Sequence, residues 1–307
     1  MPLVNAVASL LANVLPATVH VQATIPPEHP SARILGVERM GSGTVIDSSG
    51  LVLTVSYIVL GASSIQVTTL DEQQYEAELV KYDFASGLAV LRVPGVKLPS
   101  LPLRSSADVQ RGEPTFVIAS VGAGKVRAAD GFVSDLGAFE ATWEYALERS
   151  ILTSAMNPGL GGGPLLDRFG RVLGVVSRNR SEIAQFTLAV PSDYFLDAAS
   201  AFLTHDGTAA IGTRAWRGIF CHLIEDRVIV AGLMNDGPGA AAGLEPGDIV
   251  LAVDDRPLGD RTTLYQHVGR HQPGDAIVLR VFRDRGERAV TIPLGDEIGR
   301  ASCRERV

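Results

Sequence analysis

Cysteine is nearly absent: the 307 residues contain two, Cys221 and Cys303, too few for a disulfide-stapled scaffold or a zinc ribbon. Basic charge is also short. Lys and Arg number 27 against 34 Asp and Glu, a net charge of −7, and no basic stripe stands out, which excludes the usual nucleic-acid binder. Histidine is confined to His20, His29, His205, His222, His267 and His271, leaving residues 30–204 without an imidazole. Residues 1–27 hold no charged side chain at all. Leu3, Val7, Leu10, Leu11 and Val14 recur there at helical spacing with Asn5, Ser9 and Asn13 between them, and Pro16 ends the pattern. A signal peptide would show a positive start and a small-residue cleavage site, and a membrane span about 20 apolar residues. The run fits neither and predicts an amphipathic helix over residues 1–16 that packs on the domain after it.

What is present supports folded cores. Apolar residues make up 46% and charged residues 20%, and the length suits two domains. Gly (32) and Pro (17) are in excess, which favours turn-rich β structure. Short alternating strands are predicted near 19–24, 41–47, 51–55, 64–69, 75–82 and 88–93. A second set falls near 114–119, 125–135, 149–153, 164–166, 172–178 and 186–190. A dozen strands without crossover helices indicate antiparallel barrels. A helix over 192–204 closes this first domain, residues 17–204. Residues 205–213 read as a linker, and 214–295 as a second domain with one helix near 261–270. Residues 296–307 fit no periodic pattern and read as a foreign or disordered tail.

Three segments in the first domain carry a resemblance. They are Gly41-Ser42-Gly43-Thr44-Val45-Ile46-Asp47 followed by Leu51-Val52-Leu53-Thr54-Val55-Ser56-Tyr57-Ile58-Val59, then Asp83-Phe84-Ala85-Ser86-Gly87-Leu88-Ala89-Val90-Leu91, then Asn157-Pro158-Gly159-Leu160-Gly161-Gly162-Gly163-Pro164-Leu165. In order and spacing they resemble the segments around the catalytic His, Asp and Ser of HtrA-like, trypsin-like serine proteases. The three catalytic positions hold Tyr57, Gly87 and Gly161. The resemblance therefore implies a double antiparallel β-barrel whose triad is gone and whose oxyanion loop, Gly159, Leu160 and Gly161, is vestigial. Chemistry agrees. Glycine has no nucleophile, and a phenol of pKa about 10 is a poor base at neutral pH. Ser56 and Ser86 flank the vacated positions; on a strand they would point to the opposite face.

The second domain contains Asp236-Gly237-Pro238-Gly239-Ala240-Ala241-Ala242-Gly243-Leu244-Glu245-Pro246-Gly247-Asp248-Ile249-Val250. This resembles the signature of the PDZ domains that follow HtrA protease domains. Trp216-Arg217-Gly218-Ile219 stands where that family has its carboxylate-binding loop, and the helix near 261–270 offers Leu264 and Val268 to a groove. Backbone N–H groups of such a loop cradle a peptide's C-terminal carboxylate while the peptide adds a strand. Arg217 replaces a hydrophobic residue, and its charge would favour a carboxylate.

The expected function is that of an inactive HtrA-like homologue, binding protein C-termini or unfolded segments as an adaptor, holdase or regulator. One alternative is an architectural subunit that assembles with active HtrA relatives, since the family forms trimers. Another is a serine endopeptidase with a displaced site. No cofactor or metal is expected. Cys221-His222 are adjacent on a strand and face apart, and Gly122-Ala123-Gly124-Lys125 lacks the Ser or Thr and first Gly of a phosphate loop. The resemblance points to the cell envelope.

Overall fold

A computed structural model describes residues 2–29, 31–140, 146–180, 185–204, 210–211, 215–234 and 237–296. The chain divides into two compact units, residues 1–137 with 148–211, and residues 138–147 with 212–307. Residues 138–147 thus group with the second unit and not with the domain expected over 17–204.

The first unit opens with helix α1 (Pro2–Val14) and a 3-10 turn (Leu15–Ala17). Pro16 falls in that turn, where its missing N–H costs nothing. Val14 is buried, and a Cβ placed on Gly170 would lie 2.9 Å from Val14 and 3.1 Å from Leu10, so these two side chains lie over the Gly170 turn, while Val7 is exposed. Then follow β1 (Thr18–Thr24), α2 (Ala32–Leu35), β2 (Glu38–Asp47), β3 (Leu51–Val55), α3 (Ser56–Val59), β4 (Ser64–Thr68), β5 (Gln74–Glu76), β6 (Glu78–Asp83) and β7 (Leu88–Arg92). These strands form a sheet in the order β6-β7-β3-β2-β1-β4-β5. The second set is β8 (Pro114–Gly122), β9 (Lys125–Glu140), β10 (Ala146–Thr153), β11 (Pro164–Asp167), β12 (Val172–Arg180) and β13 (Phe186–Pro191), closed as the barrel β10-β13-β12-β11-β8-β9. All five residues of β3 are buried, which is why Leu51 to Val55 read as a continuous apolar run broken only by Thr54.

The helix expected over 192–204 is two pieces, α4 (Asp193–Leu196) and α5 (Ala199–Leu203). The expected linker is not featureless either. Ala210–Ile211 form β14, which lies parallel to β6, while 205–209 and 212–213 lie outside the described residues.

His20 of β1 is buried, its Nδ1 2.9 Å from Ser120 Oγ of β8. Burial lowers its pKa. A depressed imidazole pKa contributes stability that is present above the unfolded value of about 6.5 and is lost as pH falls through the folded value. Denaturant midpoints should therefore drop between pH 7 and pH 5, and His20→Gln should flatten that dependence.

The second unit comprises β15 (Ala215–Trp216), β16 (Ile219–Ile224), β17 (Arg227–Leu233), α6 (Pro238–Ala241), β18 (Ile249–Val253), β19 (Arg256–Pro257), α7 (Arg261–Val268), β20 (Ala276–Arg283), β21 (Gly286–Pro293) and β22 (Gly295–Asp296). The sheet order is β16-β17-β18-β20-β21, and β15 pairs with β22. Asp296 therefore belongs to this unit and not to a tail; 297–307 lie outside the described residues. Asp260 caps α7 by accepting the Thr263 N–H at 2.7 Å. Strand β20 alternates exposed and buried, and its Ile277, Leu279 and Val281 enter a core with Val228, Val230 and Leu264.

Candidate functional site

Tyr57, Gly87 and Gly161, the positions expected for the triad, come together in the first unit. Tyr57 is in α3, directly after β3. The Ser56 N–H donates to the Gly87 carbonyl at 2.8 Å, which joins α3 to the turn before β7. Ser56 and Tyr57 are consecutive residues of a helical turn, not of a strand, so the alternation expected of them does not apply. Gly87 has φ +72°, a conformation that favours glycine. Ser86 is fully buried, and its hydroxyl donates to Asp83 Oδ2 at 2.6 Å, which commits both groups to the turn.

The Tyr57 hydroxyl donates to the Ser177 carbonyl at 3.0 Å. A Cβ placed on Gly161 would lie 2.3 Å from that hydroxyl and 2.5 Å from the Ser177 oxygen. The phenol thus fills the volume that a side chain at 161 would need. Tyr57 and Gly161 fit each other.

The loop around Gly161 is pinned on all sides. Ser42 N–H donates to the Gly161 carbonyl at 2.6 Å, Ser42 Oγ to the Leu160 carbonyl at 2.7 Å, and Leu160 N–H to the Ser120 carbonyl at 2.9 Å. Gly162 has φ +97°, and a Cβ on Gly163 would sit 2.1 Å from the Ile118 carbonyl oxygen. At the loop's entrance the Asn179 side-chain oxygen accepts from the Asn157 N–H at 3.0 Å and from Thr187 Oγ1 at 2.8 Å. Packing and backbone bonding hold this turn without reference to a substrate.

In the second unit, β16 is the edge strand of its sheet and α7 lies beside it. Gly218 has φ +71°, and a Cβ there would approach Gly237 Cα and the Trp216 ring to 3.0 Å. The loop is fixed by Met234 N–H donating to the Gly218 carbonyl and Gly239 N–H to the Arg217 carbonyl, at 2.9 and 2.7 Å. Two arginines bridge the gap between β16 and α7. Arg217 is 1% exposed, its guanidinium 5.1 Å from the Tyr265 ring centre and donating to the Leu264 carbonyl at 3.5 Å. Arg261 Nη1 donates across to the Cys221 carbonyl on β16 at 3.2 Å.

A trypsin-like peptidase domain matches residues 41–175 and a PDZ domain residues 217–294. The solved HtrA-type protease AlgW with tripeptide is similar over 94% of this chain and 96% of its own, at 26% identity and a TM-score of 0.59. This chain belongs to the HtrA-type family. Among curated relatives, a probable periplasmic serine endoprotease, DegP-like, from Halomonas elongata is 30% identical over 88% of this chain and 60% of its own length. One from Ectopseudomonas mendocina is 29% identical over 88% of this chain and 59% of its own. The chain thus spans about 60% of the length of these relatives.

Within that HtrA-type frame, several residue assignments change. Arg217 is buried under α7 and packs on Tyr265, so its charge is committed there and not held out to a carboxylate. Leu264 and Val268 lie in the PDZ core, at 0% and 4% exposure, and support α7 from below. Arg261 and Tyr265, one turn apart, are the α7 residues that reach towards β16 and Arg217. Sequence reasoning missed Arg261. Its position just after the Asp260 cap, at the head of the helix, was the available signal.

Proposed function

We propose that this chain is a catalytically inert HtrA-type homologue that binds peptide C-termini or unfolded segments through its PDZ domain, as an adaptor or regulator. The carrying observation is the Tyr57 hydroxyl in the volume of a nucleophile at Gly161. A pair that fits this closely describes a site repacked for stability rather than for acyl transfer, which needs a nucleophile, a base and an orienting group. Peptide capture rests on different features, namely the position of β16 at the edge of its sheet and the loop held by Gly218. The names of the curated relatives support a periplasmic setting.

The groove is latched by Arg261, because the Cys221 carbonyl it occupies is an acceptor that an added peptide strand would use. Arg261→Ala should therefore tighten binding of apolar C-terminal peptides by roughly three- to tenfold, the equivalent of one hydrogen bond no longer displaced. Amidating the peptide should weaken binding by about ten- to a hundredfold, since a charge-assisted bond contributes ~1.5–3 kcal/mol. Gly218→Val should abolish it. Titration of labelled peptides against the full chain reads all three. Equal affinity for free and amidated peptides would overturn the PDZ reading. Covalent labelling by a fluorophosphonate, or casein cleavage that survives repurification, would overturn the claim of inertness.

A further inference from the structure

Asp254, His267 and His271 bring three metal-ligating groups to one point of the PDZ domain. Asp254 occupies the two-residue turn between β18 and β19, where Asp254 and Asp255 have φ of +42° and +62°. His267 lies in the last turn of α7 and His271 in the bend just past its end, and their ring centres are 5.2 Å apart. The Asp254 carboxylate is held from behind, its Oδ1 accepting the Val278 N–H at 2.7 Å. That leaves Oδ2 facing both imidazoles, 2.6 Å from His267 Nε2 and 3.8 Å from His271 Nε2.

His271 Nδ1 lies 3.0 Å from the His267 carbonyl oxygen; a carbonyl only accepts, so Nδ1 carries a proton and Nε2 is the nitrogen turned to Asp254. At 3.8 Å, Nε2 is too far from the Asp254 oxygen for a hydrogen bond, and a cation between the two would bridge that gap. A carboxylate supported from behind and, at His271, an imidazole oriented through its far nitrogen match what ligand sets of metal sites require. Side-chain exposures of 30%, 11% and 24% keep the cluster reachable and leave open positions for water.

We propose that Asp254, His267 and His271 form a binding site for a divalent transition-metal ion of the zinc class, the type suited to two imidazoles and one carboxylate. On binding, His267 Nε2 coordinates, and its ring carries the remaining proton on Nδ1, a buried atom with no hydrogen-bond partner among the described residues. The ion ties the C-terminal end of α7 to the β18–β19 turn. Because α7 also carries Arg261, occupancy would reach the groove latch.

Zn²⁺ titration of the full chain by calorimetry, with Co²⁺ absorption as a second readout, tests the site. One equivalent should bind in the micromolar range with the visible bands of imidazole-ligated Co²⁺. His267→Gln, His271→Gln and Asp254→Asn should each weaken it at least about tenfold, while His222→Ala, beside buried Cys221, should leave it unchanged. His271→Gln is the safest variant, and an unaltered metal-free melting temperature shows that it folds. Absence of saturable binding, equal binding by folded His271→Gln, or loss of binding in His222→Ala instead would overturn the proposal.

Discussion

Arg283→Ala is expected to destabilise the PDZ domain by about 3–5 kcal/mol, enough to leave it barely folded. Asp248 is completely buried, and Arg283 grips it with both ends of the guanidinium, Nε to Oδ1 and Nη2 to Oδ2 at 2.6 Å each. Oδ2 also accepts the Glu245 N–H at 3.0 Å, and Arg283 further reaches Glu245 and the Gly243 carbonyl. Removing the cation leaves a buried carboxylate without its counter-charge, the costly half of a broken ion pair. Urea unfolding followed by tryptophan fluorescence reads the shift, since Trp216 is buried in this domain. Acid checks the cause. Burial works against the charged form of Asp248, but the Arg283 bonds and the Glu245 N–H outweigh it and hold the carboxyl below the usual range. A depressed carboxyl pKa contributes stability that is complete above the unfolded value near pH 4 and is lost as pH falls through the folded value. The gap between wild type and Arg283→Ala should thus narrow towards pH 3. A gap that stayed constant would assign the loss to packing of the arginine stem.

Why some of this was legible in the sequence and some was not follows from how each residue acts. The strand-rich chain, the two domains and the positions of Tyr57, Gly87 and Gly161 depend on local pattern and motif spacing, and both are written along the chain. Asp248 sits in the glycine-rich signature, yet its partner Arg283 is 35 residues later on β20, and only the β18–β20 pairing brings them together. The same holds for the contact between Tyr57 and Gly161. Tyr57 reads as a lost histidine until Ser177, 120 residues away, accepts its hydroxyl. Arg217 was legible as a departure from a hydrophobic position, but its burial against Tyr265 depends on where α7 docks. His267 and His271 carry helical i, i+4 spacing in plain view; Asp254 joins them only through the β18–β19 turn. Ser56 was misplaced because the apolar strand β3 turns into α3 without a glycine or proline to mark the change.

Gly161→Ser, Tyr57→His and Gly87→Asp together should yield no protease of useful rate. The reason is backbone geometry rather than missing side chains. Histidine at 57 removes the hydroxyl that lies 2.3 Å from a Cβ at 161, but the Ser177 carbonyl oxygen, 2.5 Å from the same Cβ, stays in place. The turn at 87 adds strain, since φ +72° suits glycine. A displacement of ~1 Å in a catalytic group costs about 10²-fold, so the triple variant should run at least that far below an active HtrA-type relative in casein cleavage and fluorophosphonate labelling. Stability separates the two obstacles. Gly161→Ser alone should cost about 1–3 kcal/mol by overpacking, and prior Tyr57→His should recover part of it, a coupling on the order of 1 kcal/mol in a double-mutant cycle. The remainder belongs to the Ser177 carbonyl. If the cycle shows no coupling, the phenol and the glycine are not one packing unit; if the triple variant cleaves casein near the relative's rate, the loop has kept a catalytic geometry and the site is only a side chain away from use.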